Sequence, residues 1–212
     1  MTVKLITDFE DYYDAYFSKD GDIEFQRLSE KEPTRKQVFE LLRKYGLVTP
    51  AFGQVKKFLR KCKREQAVVV YENITTHSGG KKSVMSFREA LHNHSQKHMS
   101  LYSASDKGVS YRYLRIGQLA YLLKYQSDEW SSIVNTKSIE IEEADPGFLT
   151  TEPDYPLYAI DFVHFKDAKQ DDVMVAIDFN IAPKLKNTGI EKWIDGVSVV
   201  NQIENWLNQS RK

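Results

Sequence analysis

One cysteine, Cys62, stands among 212 residues, so an internal disulfide framework is excluded. No stretch approaches the roughly 20 consecutive apolar residues that a membrane-spanning helix requires. A net charge is also missing, because 30 Lys and Arg balance 30 Asp and Glu. The chain as a whole therefore has no field to draw it to nucleic acid or to an anionic membrane, and any such role must be local. No internal repeat, low-complexity tract, Walker-type or Rossmann glycine pattern, or Gly-x-Ser-x-Gly elbow occurs. The opening MTVKLITDFEDYYDAYF gains acids and tyrosines too early for an export signal, which predicts a cytoplasmic location.

What is present suffices for a substantial core. A chain of this length buries roughly 70% of its unfolded surface in one large domain or two small lobes. Pro33-Thr34 opens an apolar stripe of Val38, Leu41, Leu42 and Tyr45 that stops at Gly46, and this spacing predicts a helix. The basic stretch Lys56, Lys57, Arg60, Lys61, Lys63 and Arg64 reads as the wet face of a second helix, with Val55, Phe58, Leu59 and Cys62 turned inward. Ala67-Val68-Val69-Val70-Tyr71 reads as a buried strand. Thr75 to Lys82 reads as a polar loop, followed by a short helix from Ser86 and a strand near Met99.

YRYLRIGQLAYLLKY reads as two strands turning at Gly117, the acidic segment 140–156 as a loop, and 157–163 with 173–179 as a further strand pair. A helix from Ser198 buries Val199, Val200, Ile203, Trp206 and Leu207. The order of elements favours an α+β fold over a doubly wound sheet. His94 and His98 lie one helical turn apart, but polar surroundings and the lack of a completing ligand argue against zinc.

The strand pair PLYAIDFVHFKDAKQDDVMVAIDFNIAP carries the most chemistry. A turn centred on Lys169-Gln170 sets Asp161 directly opposite Asp178 and puts Asn180 on the same face as Asp178. Ile160, Phe162, Ile177 and Phe179 then face a core, with Ala159, Val163 and Ala176 sheltering the acids. Opposed carboxylates on an apolar hairpin repel unless protons, basic partners or a cation compensate. Two carboxylates and an amide are oxygen ligands suited to magnesium.

These residues resemble the ATP-grasp family of carboxylate–amine ligases, in which an acid on one strand and an acid-x-Asn-x-x-Pro stretch on the next hold magnesium against ATP. The matching positions are Asp161 and Asp178-Phe179-Asn180-Ile181-Ala182-Pro183, with Asp178 where the family usually has Glu. Arg112-Tyr113-Leu114-Arg115-Ile116-Gly117 resembles the strand that presents an arginine towards phosphate. The resemblance implies an ATP-grasp-like α+β fold of two lobes, with mainly antiparallel sheets flanked by helices. It implies residues 1–65 as an N-terminal helical, substrate-side segment and 66–212 as the ATP-grasp-like region. It further implies ATP and Mg2+ as cofactors, with Asp161, Asp178 and Asn180 on the metal and Arg112 and Arg115 as catalytic cations. Gly79, Gly80, Lys81 and Lys82 would form the nucleotide-covering loop, since Tyr71 stands where a nucleotide-binding lysine is expected. The implied activity is an ATP- and Mg-dependent ligase acting through an acyl-phosphate on a small-molecule or peptide substrate. A non-catalytic protein that keeps the fold to bind a nucleotide or a protein partner is the alternative.

Overall fold

The computed structural model describes residues 33–75, 82–101, 108–129, 136–145, 147–166, 172–181, 183, 185 and 188–209. The expected loop residues Gly79, Gly80 and Lys81, and the aromatic N-terminal stretch 9–17, lie outside the described residues.

Helix α1 (Arg35–Lys44) starts where the sequence predicts it. The Thr34 hydroxyl accepts from the Gln37 N–H at 3.3 Å while the Gln37 side chain accepts from the Thr34 N–H at 2.8 Å, a reciprocal cap that satisfies two amide donors. Val38, Phe39 and Leu42 are buried on its inner face, and Gly46 leaves the helix at φ 77°.

Strand β1 (Phe52–Gln54) leads into a single 3-10 turn, Val55–Phe58, rather than the expected basic helix. Val55 and Phe58 are buried, as their spacing of three suits such a turn, but Leu59 is 57% exposed. Continuing as an α-helix would stack Lys56 on Arg60, Lys57 on Lys61 and Arg60 on Arg64, each a like-charge repulsion at a spacing of four. Strand β2 (Ala67–Tyr71) follows, then β3 (Lys82–Ser86), helix α2 (Phe87–His94) and β4 (His98–Leu101). They form an antiparallel sheet in the order β1-β4-β2-β3. Lys82 is thus the first residue of a strand, not the end of a loop, and lies directly across from Tyr71. The expected 65/66 boundary cuts this sheet, because β1 pairs with β4.

The second sheet contains β5 (Val109–Ile116), β6 (Leu119–Gln126), β7 (Ser138–Glu143), β8 (Leu157–Lys166) and β9 (Asp172–Ile181), in the order β7-β6-β5-β8-β9 and antiparallel throughout. Strand β7 corrects the expected loop over 140–156. Its SIEIEE alternates Ile139 and Ile141 against the core with acids turned outward, a two-residue period that the acidic composition conceals. Helix α3 (Gly196–Gln209) begins where Asp195 accepts from the Ser198 N–H at 2.7 Å. Val199 and Ile203 of α3 pack with Leu114, Ile116, Leu123 and Ala159 on one face of the sheet. On the other face Val38, Phe39 and Leu42 meet Tyr113, Tyr158, Ile160, Phe162 and Phe179. The first sheet buries Val68, Val70 and Met99 against Phe87 and Ala90 of α2. The α+β fold with two antiparallel sheets and flanking helices therefore stands as expected. Among the described residues no helix is long and apolar enough to cross a membrane.

Candidate functional site

The antiparallel register places Asp161 opposite Asp178, as the hairpin sequence requires. Beyond that pair the register slips, and Phe162 faces Ala176 instead of Ile177. This β-bulge corrects two expectations. Ala176 enters the core beside Phe162, while Ile177 turns to line the same cleft as Asp178. Asn180 sits opposite Ala159, two residues from Asp178 and outside the residues lining the cleft.

Basic partners neutralise both acids. Arg112 is the cross-strand neighbour of Asp161 on β5, and its Nε and Nη2 donate to the two carboxylate oxygens at 2.7 and 3.0 Å. The planar fork matches the carboxylate in a charge-assisted pair. Burial works against the Arg112 charge, but Asp161, with further help from Tyr125 and Asp178, raises its pKa above the ordinary arginine value. Arg112 also lies over the Tyr125 ring, 5.9 Å from its centroid. The Tyr125 hydroxyl is buried and makes no hydrogen bond of good geometry with any described residue, and burial pushes its pKa up to about 12.

Asp178 is met by Arg35 at the start of α1, whose Nη1 donates to Oδ1 at 3.0 Å and to the Ile177 carbonyl at 3.1 Å. The same Asp178 oxygen accepts the Phe179 N–H at 3.0 Å. The Arg35 guanidinium lies 5.6 Å from the Tyr71 ring centroid, so one buried side chain bridges α1, the first sheet and the second sheet. Tyr71 in turn shares a 3.0 Å hydrogen bond with Ser100. Sequence reading passed over Arg35, although a cation in the first turn of a helix opposes the macrodipole and signals a partner elsewhere.

These groups line a cleft of about 100 Å³ between the sheets. Val69, Tyr71 and Lys82 form one wall; Arg112, Tyr125, Asp161, Val163, Ile177 and Asp178 form the other. Lys82, the first residue of β3, is exposed and stands on the rim of this cleft. Desolvation there lowers its pKa; Asp178 and Asp161 oppose that shift and Arg35 adds to it.

Arg115 is not brought into the cleft. It points from the opposite face of β5 into a separate hollow of about 270 Å³ lined also by Glu143, Asp145 and Glu152. There Arg115 lies 3.9 Å from Glu152, which accepts hydrogen bonds from the hydroxyls of Tyr113, at 2.7 Å, and Tyr158. Of the residues singled out in the sequence, Asp161, Asp178, Arg112 and Lys82 are therefore gathered in one place, whereas Arg115 and Asn180 stand apart from it.

Arg112 and Arg35 engage the acids that the resemblance assigns to magnesium. Both Asp161 oxygens and Asp178 Oδ1 already accept N–H donors, and a metal bound at about 2.1 Å from them would face guanidinium groups at close range. Among the described residues no group of three or more His, Cys, Asp or Glu is positioned to hold a metal ion.

No protein-family model matches the chain, and no curated protein sequence matches it significantly. Among solved structures, it is similar to the macrocyclase MdnC bound with precursor peptide MdnA from Microcystis aeruginosa MRC, at 12% identity and a TM-score of 0.47, covering 82% of this chain and 60% of that one. It is similar too to a Chryseobacterium gregarium RiPP-associated ATP-grasp ligase in complex with ADP and a leader and core peptide, at 11% identity and a TM-score of 0.46, covering 84% of this chain and 59% of that one. A third is the ATP-grasp ligase PsnB complexed with minimal precursor, at 13% identity and a TM-score of 0.41, covering 81% of this chain and 56% of that one. The chain spans about three fifths of the length of these structures. At such identities and TM-scores, function has to be argued from this chain's own residues.

Proposed function

We propose that the cleft between the two sheets binds a nucleoside polyphosphate such as ATP or ADP. The observation that carries this reading is the convergence of Arg35, Lys82 and Arg112 on an apolar slot containing Val69, Val163 and Ile177. Cations suit phosphate oxygens and apolar walls suit a base, the mixture of lining expected of a cofactor site. Lys82 replaces from β3 the ammonium that Tyr71 does not supply from the neighbouring strand.

The motif around Asp161 and Asp178 favours a ligase using that nucleotide. An acceptor carboxylate, from a small molecule or a peptide, would attack the γ-phosphorus as the bond to the β-phosphate breaks and ADP leaves. An amine would then displace phosphate from the acyl-phosphate. Arg112 and Lys82 would stabilise the charge on the transferring group, and no side chain need act as nucleophile. Tyr71 at the expected lysine position favours the second reading, a binding protein without turnover.

Thermal unfolding with ADP or ATP tests the binding claim. A ligand at about 100 times its Kd adds roughly 2.7 kcal/mol of stability, and Lys82→Gln should shrink the resulting rise in Tm. No rise at millimolar nucleotide refutes it.

A further inference from the structure

We propose that Arg35 and Arg112 stand in for a divalent cation at the Asp161–Asp178 pair, so that the cleft takes its polyanionic ligand without a metal. This rests on the reading of the cleft as a phosphate-binding site and departs from the magnesium that the sequence resemblance implies. Two opposed carboxylates need positive charge, and the fold supplies it covalently. Arg112 comes from the adjacent strand and engages both oxygens of Asp161. Arg35 comes from a different part of the chain, with its side chain only 6% exposed.

Arg35 is no loose counter-ion. The capped first turn of α1, the Ile177 carbonyl and the Tyr71 ring fix it on Asp178, and its own backbone N–H donates to the Ile74 carbonyl at 3.2 Å. A metal taking Asp178 Oδ1 would have to displace this buried guanidinium and leave it uncompensated, which is costly. The two ion pairs are neutral together, and Lys82 leaves the lining with a surplus of one positive charge. A polyanion therefore enters a cleft already complementary to it.

Titration of the full chain with Mn2+ alone, followed by calorimetry, tests the inference independently of any nucleotide. The wild type should take up no Mn2+ at sub-millimolar concentration. Arg35→Met should expose Asp178 and gain one site, which the further change Asp178→Asn abolishes. If Arg35→Met does not fold, the wild-type titration still decides. One Mn2+ bound by the wild type and lost in Asp178→Asn overturns the proposal. Titration with ADP in EDTA and then in magnesium supplies a second readout. The affinities should agree within roughly threefold, and a gain of tenfold or more with magnesium overturns the metal-free site. Failure of ADP to bind in either buffer removes the nucleotide reading and leaves the Mn2+ result to judge the arginines.

Discussion

Replacing Arg112 with Met removes the only described donor to both Asp161 oxygens while keeping most of the apolar stem. The Arg112 and Asp161 side chains are 16% and 12% exposed, so water cannot readily take over the lost contacts. Breaking such a pair from one side costs about 3–5 kcal/mol. For a chain of this size that is a fall in Tm of roughly 6–20 °C. Asp161→Asn should cost less, about 1–3 kcal/mol, because it removes the repulsion with Asp178 and leaves a side chain that still accepts a hydrogen bond. The double variant should then lose less than the sum of the two, by a coupling of about 2 kcal/mol. Urea unfolding followed by tryptophan fluorescence measures all three, and unchanged m-values license the comparison. Additivity within about 0.5 kcal/mol would refute the pair as a coupled unit.

Two further outcomes follow from other parts of the fold. Gly117→Ala should lower stability by about 2 kcal/mol or more, because φ is 56° and a Cβ would sit 2.4 Å from the Gln202 carbonyl of α3; wild-type stability in denaturant would contradict that close approach. Tyr113 is pushed up to about 12 by burial and by Glu152, so its neutral form is the one the fold favours. The stability it contributes is complete below pH 10, the ordinary tyrosine value, and is lost as pH rises towards 12. Alkaline unfolding should be shallower in Tyr113→Phe, and an unchanged profile would count against this assignment.

Much of the architecture was legible because local rules and tertiary packing agree. The capped start of α1, the strand of branched residues at 67–71, the glycine at the β5–β6 turn and the Asp161–Asp178 register all follow from periodicity and turn chemistry. Strand β7 and the 3-10 turn were misread because composition, acidic in one and basic in the other, concealed a short-range pattern.

By itself the sequence determined that two carboxylates would face each other on an apolar hairpin and would need compensation. Which compensation was decided by tertiary structure alone. Arg35 lies 143 positions from Asp178 along the chain, and no spacing rule connects them. Only the packing of α1 against β9 carries that guanidinium to the acid, and only a bulge beyond the pair turns Ile177 into the cleft. Periodicity assigns a side chain to a face, but a salt bridge between distant segments is set by how the faces come together.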